Sequence, residues 1–147
     1  MPAGTQAMFA TAQDAEQAFY RALAQADLDG LMRVWAADEE VVCVHPGGLR
    51  VVGHLAVRES WQDILAHGSL LIETSRLIEQ TTVVSATHCV IEQISAHGPD
   101  GVQHAYCYAT NVFHKGSSGW RLVLHHASAA PQSAGAMDLH DQPGTLH

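Results

Sequence analysis

The hydrophobic period of this chain turns from mainly helical to extended at Gly68, and that change constrains the fold more than any single motif. Before it, apolar residues recur at helical spacing: Ala15, Ala18, Phe19, Ala22 and Leu23 form one stripe, and Val57, Trp61, Ile64 and Leu65 another. After it, long stretches read as extended chain, with side chains alternating between two faces. Helices first and long antiparallel strands second describe an α+β domain whose helices cover one face of a curved sheet. A sheet of that kind closes imperfectly and leaves a cavity beneath the helices.

Local signals place the elements. Thr11 caps a first helix, with Asp14 in its first turn. Asp27 caps a second, in which Leu28, Leu31, Met32 and Trp35 share one side. Val41–Val44 reads as a strand, Pro46-Gly47-Gly48 as a turn and Leu49–Val52 as a short return strand. Gly53 opens the third helix and Gly68 ends it. Beyond lie strands over Leu70–Ile78 continuing into Thr81–Val84, a turn at Ser85–Thr87, then strands at His88–Ser95, Val102–His114 and Trp120–Ser128. One domain is expected over residues 1–128. Residues 129–147 are poor in aromatic and β-branched bulk and read as an extended tail, suited to lying on a neighbouring subunit.

The 147 residues suffice for one cored domain. Seven basic against fifteen acidic residues give a net charge of −8, which disfavours nucleic acid and anionic membrane as partners. No apolar run approaches the roughly 20 residues of a membrane span, and the N-terminus lacks the pattern of a secretory signal. The three cysteines, Cys43, Cys89 and Cys107, sit in apolar runs with no CxxC pair, as free thiols in a reducing compartment do. The expectation is a cytoplasmic, bacterial protein without a structural zinc site.

Three segments carry a family resemblance: AFYRALAQADLDGLMRVWAADEEV, VCVHPGGLRVVGHLAVRESW and TNVFHKGSSGWRLVLHHAS. Together they resemble the nuclear transport factor 2-like superfamily, in its SnoaL-like and ketosteroid-isomerase-like branches. The resemblance implies a cystatin-like cone, three helices from the N-terminal half on a mainly antiparallel sheet around a pocket. It implies no single activity, because the superfamily holds isomerases, dehydratases, hydrolases, cyclases and non-enzymatic modules. In the isomerases an aspartate base stands immediately before the proline of the turn, where this chain has His45. Their oxyanion-holding tyrosine aligns with Phe19, with Tyr20 one residue off, and their second donor, a protonated acid, has no counterpart visible in sequence.

His45 shares a strand phase with Val41 and Cys43. An imidazole with an ordinary pKa near ~6.5 serves there as acid or base, and it serves equally as a ligand contact or a hydrogen-bonded lining residue. In the last strand Trp120, Leu122, Leu124, His126 and Ser128 form the more apolar phase, so His126 is expected inward and His125 outward. Phe113 should share the inward face with Trp120, which brings Cys107 and Asn111 to the same side. Asn111 is a candidate orienting group, and Cys107 reads as a small core residue ahead of a nucleophile. Trp35 and Trp61 pack the helix faces that wall the cavity and can stack on a ligand. No metal is expected, since Glu73 and Glu92 are not spaced to complete a set with His45 and His126.

The reading is a protein that binds a small, largely apolar molecule in the cone, with cofactor-free acid–base chemistry of isomerase, dehydratase or hydrolase type carried by His45 and His126. Phe19, Tyr20, Trp35, Trp61, Cys107 and Asn111 would contact the ligand. The alternative is a non-catalytic ligand-binding or dimerising module. A homodimer is expected through the outer face of the sheet, where Tyr108, Val112 and Val123 would leave apolar surface in water. The catalytic version requires His45 and His126 to point into one cavity.

Overall fold

The computed structural model describes residues 9–136. It contains three helices, α1 (Ala12–Ala24), α2 (Leu28–Val34) and α3 (His54–Leu65). The strands are β1 (Val42–Val44), β2 (Arg50–Val52), β3 (Leu71–Thr81), β4 (Ser85–Gly98), β5 (Gly101–Gly116) and β6 (Gly119–Ala130), and a short 3₁₀ helix spans Gln132–Gly135. The strands form one sheet in the order β2-β1-β6-β5-β4-β3. Its pairings are antiparallel except β1 with β6, which is parallel. No helix among the described residues is long and apolar enough to cross a membrane.

Capping forms the helices where the sequence expects them. The Thr11 hydroxyl accepts from the Asp14 backbone N–H at 3.0 Å, and Asp27 Oδ1 accepts from the Gly30 N–H at 3.0 Å. The α1 stripe then buries Ala15, Phe19, Ala22 and Leu23 against the sheet. Trp35, Phe113 and Leu122 complete that core at 1 % exposure or less. In the strand-to-helix return the Gly48 N–H donates to the His45 carbonyl at 2.9 Å, and Gly47, at φ +70°, supplies the positive φ of a type II-like turn. That turn ends β1 with His45 just past the last paired residue.

Two expectations from sequence are corrected. The turn between β3 and β4 lies at Thr82–Val84, and Ser85–Thr87 already belongs to β4. The Thr82 hydroxyl accepts from the Val84 and Ser85 N–H groups, so a local side-chain bond outweighs the strand preference of two valines. Val83 is left 84 % exposed at the tip.

The second correction concerns β6. Val112 pairs with Leu124 but Phe113 pairs with Leu122, so Val123 is an extra residue, a β-bulge. A bulge of one residue reverses the alternation beyond it. His125 therefore turns inward, buried beside Asn111, and His126 faces the opposite side, exposed.

At the C-terminal end β6 continues to Ala130, and the 3₁₀ helix packs against β4 and β5 of the same chain with Ala134 buried. Gly135 sits so close to the Tyr106 ring that a Cβ there would lie 2.5 Å from a ring carbon. A side chain there would require the Tyr106 ring to move. The rest of the expected tail, from residue 137, lies outside the described residues.

Truncating Phe113 to alanine should destabilise the protein by about 3–5 kcal/mol through the cavity it leaves. Leu49→Ala, at a position 87 % exposed, should change stability by no more than about 0.5 kcal/mol. Urea unfolding of the two variants checks the pair, and similar losses would contradict the core assignment.

Candidate functional site

The concave face of the sheet is apolar at its edges and polar along a line through its middle. Strand pairing sets His88 of β4, Asn111 of β5 and His125 of β6 side by side. Helix α1 lays Glu16 and Tyr20 across them, one helical turn apart. Glu92 stands two strand steps from His88 on the same face of β4. All six of these polar side chains are buried, at 9 % exposure or less.

Asn111 is the hub of the line. Its Nδ2 donates to Glu16 Oε2 and to the Tyr20 hydroxyl, each at 3.0 Å, and its Oδ1 lies 2.6 Å from His125 Nδ1. The Tyr20 hydroxyl in turn donates to Glu92 Oε2 at 2.7 Å. On the far side of Glu16, His88 Nδ1 lies 3.1 Å from Oε1, while His88 Nε2 lies 3.0 Å from Glu79 Oε2. These two contacts are ionic in distance without the alignment of good hydrogen bonds. The polar line thus runs from partly exposed Glu79 to fully enclosed groups.

Burial tunes the titrating groups. Glu92 is pushed up to about 7, first by desolvation and then by the charge of Glu16, against the opposing hydrogen bond from Tyr20. A carboxyl there exchanges its proton near neutral pH. Tyr20 is raised well above its ordinary value by burial and by Glu92, so it stays a phenol. His125 is pushed down to about 3, by burial and then by the neighbouring His45 and His126, and stays neutral. His88 moves up because the Glu16 carboxyl beside it, and then that of Glu79, favours its charged form, against the opposing desolvation of burial.

His45 sits at the end of this arrangement. Its ring meets Trp61 edge-on with centroids 4.6 Å apart, and its Nε2 is 3.1 Å from the Ser60 hydroxyl and 3.6 Å from Cys43 Sγ. Desolvation lowers its pKa. Phe19 packs edge-on against Trp61 at 5.7 Å and against His125 at 5.0 Å, closing an aromatic wall. Cys107 pairs with Glu92 across the strands, and burial raises its thiol. Cys43 is pushed up to about 12 by burial. Neither cysteine has the lowered pKa of a nucleophile.

The structure therefore brings together Phe19, Tyr20, His45, Trp61, Cys107 and Asn111 of the residues singled out in sequence. It separates two. His126 is exposed on the other face of the sheet, so it shares no cavity with His45. Trp35 lines a different groove, of about 630 Å³, between α2 and the β5–β6 hairpin. Sequence reading did not single out Glu16 or His88, set Glu92 aside as a metal ligand and placed His125 outward. Glu16 falls on the apolar side of α1 and Glu92 at an inward position of a strand, a polar residue in a buried phase being the one signal that would have found them. Among the described residues no set of three or more His, Cys, Asp or Glu groups is arranged to hold a metal ion.

The family model described as a SnoaL-like domain matches residues 13–132. The chain belongs to the SnoaL-like family. It is similar to a solved structure from Thiobacillus denitrificans, named as a candidate calcium/calmodulin-dependent protein kinase type II association domain. The identity is 32 % and the TM-score 0.79, covering 86 % of this chain and 100 % of that one. It is also similar to a candidate dehydratase of the NTF2-like family from Streptomyces avermitilis, at 29 % identity and TM-score 0.72, over 79 % of this chain and 91 % of that one. A ketosteroid isomerase-like protein from Erwinia carotovora atroseptica shares the fold, at 18 % identity and TM-score 0.64, over 81 % and 94 %. A comparison with curated proteins returns no match. The SnoaL-like, cystatin-like cone expected from sequence is the fold observed.

The shifts fix how stability of this SnoaL-like domain varies with pH. Glu92 holds its proton more tightly folded, at about 7 against an ordinary 4.5, so its contribution is present below 4.5 and lost as pH rises through 7. His88, raised, acts with the same sign. His125, at about 3 against 6.5, contributes above 6.5 and loses that contribution as pH falls toward 3. His45, lowered, acts with it. The opposing slopes predict a stability plateau between about 4.5 and 6.5. Glu92→Gln should remove an alkaline loss on the order of 2–3 kcal/mol and move the maximum to higher pH. Urea midpoints from pH 4 to 9 test this, and an unchanged profile in Glu92→Gln would count against it.

Proposed function

We propose that this SnoaL-like protein binds a small, largely apolar molecule on the concave face and carries out cofactor-free proton transfer on it. The observation that carries this reading is the Tyr20–Glu92 pair. A carboxyl is buried in an apolar setting, pushed up to about 7, and held at one oxygen by a phenol 2.7 Å away. The Tyr20 bond occupies Oε2, and among the described residues Oε1 carries no hydrogen bond. Glu92 is the proton-transfer group, free to exchange through Oε1. Tyr20 steadies whichever charge state results, and Asn111 orients Tyr20. His45, half-buried beside Trp61 and Ser60, is a second acid–base or ligand-contacting group.

Such a pair suits reactions that remove a proton beside a carbonyl and return it elsewhere, as in isomerisation or dehydration. The relative named as a candidate dehydratase supports that class. His126 takes no part in this version.

A second reading is favoured by a different observation, the 32 % identity to a candidate association domain over all of that chain. On this reading the domain serves to assemble copies through the outer sheet face, where Tyr108 is 43 % exposed and Val112 and Val123 are half-buried. A homodimer is compatible with both readings.

The test is a panel of small apolar ketones and enones followed by NMR in D₂O. A bound compound should incorporate deuterium beside its carbonyl, and Glu92→Gln should slow that exchange by about 10²-fold or more. Tyr20→Phe should slow it by about 10-fold or more. Binding that survives with no exchange would point to a non-catalytic ligand-binding module, and exchange indifferent to Glu92→Gln would remove Glu92 as the proton-transfer group. A panel without any bound compound would leave the assembling module as the better account.

A further inference from the structure

Asn111 has three polar partners, and they differ in how much choice each has. A tyrosine hydroxyl donates or accepts. A neutral imidazole presents either an N–H or a lone pair from Nδ1, according to its tautomer. An ionised carboxylate only accepts. Of Tyr20, His125 and Glu16, Glu16 alone has a single polarity, and its Oε2 is 3.0 Å from the Asn111 amide. Turning that amide over would set Oδ1 against a carboxylate oxygen, two acceptors in a buried site with no proton between them. Such a contact costs more inside a protein than in water, because the local dielectric is low.

Glu16 is braced from its other side. His88 lies 3.1 Å from its other oxygen and is flanked beyond by Glu79 at 3.0 Å. A carboxylate facing each ring nitrogen favours the charged form of this imidazole. The imidazole stands between two carboxyl groups, and the inner one faces Asn111.

We propose that Glu16, braced by His88, is the positioning residue that orients the Asn111 amide and thereby sets His125 as its Nδ1–H tautomer. With both amide hydrogens committed to Glu16 and Tyr20, Oδ1 accepts, and the only hydrogen within reach is that on His125 Nδ1, 2.6 Å away. Nε2 is then the lone-pair nitrogen, on a ring packed at a tilt against Phe19 and Trp61. Among the described residues it carries no hydrogen bond. The concave site thus presents an acceptor at this point, and so selects a ligand that brings a hydroxyl or N–H donor. That last consequence rests on the proposed ligand-binding role, whereas the tautomer does not.

Long-range ¹H–¹⁵N correlation spectra of the ¹⁵N-labelled protein at pH 7 read the tautomer of each histidine directly. Wild-type His125 should be neutral and Nδ1–H. Glu16→Met removes the single-polarity partner while keeping the side chain's bulk, and an Nε2–H population should then appear. A wild-type His125 found as Nε2–H overturns the inference, as does a folded Glu16→Met protein that keeps pure Nδ1–H. Should that variant fail to fold, the wild-type tautomer decides alone. A panel without any bound compound, together with an Nδ1–H His125, would sink the ligand-binding reading and leave this inference standing.

Discussion

Asn111 donates both of its amide hydrogens into α1 and accepts a third hydrogen bond from β6, and it does so with no exposure to solvent. Much of the structure follows from satisfying that group. A helix laid on a sheet by apolar contact alone has several rotations of similar energy, because hydrophobic burial is non-directional. The two bonds from Asn111 into α1 single out one, with Glu16 and Tyr20 facing down and the Phe19 ring placed between Trp61 and His125. The buried polar line therefore sets the register of the domain as well as its chemistry.

The same line is held against a free-energy cost. Burying Glu92 next to Glu16 raises its pKa, a statement that the folded state disfavours its charge. Burying His125 lowers its pKa for the corresponding reason. Groups perturbed in opposite directions within one cluster are characteristic of acid–base sites. The surrounding apolar core, with Leu23, Leu31, Val34 and Phe113 at 1 % exposure or less, supplies the stability that offsets them.

The fold by itself says little about use, since an association domain candidate and a dehydratase candidate both share it. What distinguishes this chain is which side chains occupy the concave face. The sequence resemblance points to His45 as the counterpart of the isomerase branch's base, yet the carboxyl with a pKa near neutrality is Glu92, on another strand. Tyr20 supplies a phenol beside it, one residue from the position that spacing indicated.

The period change at Gly68, the caps at Thr11 and Asp27 and the Pro-Gly-Gly turn were enough to settle the element order and the cone, because each is a local preference written over a few residues. Alternation along β5 likewise put Cys107, Asn111 and Phe113 on one side, and they are buried there. The facing of the β6 histidines was decided elsewhere. One bulged residue at Val123 exchanged His125 for His126, and a bulge depends on how two strands register and not on the strand's own alternation. Tyr20 and Asn111 were singled out in sequence, but their joining with Glu16 and Glu92 was beyond it, since the members of that line lie up to 95 positions apart. Sequence determined which faces would be covered. Only the tertiary structure decided which polar groups met beneath them, because long-range pairing in a low-dielectric interior has no counterpart in the spacing of neighbours along the chain.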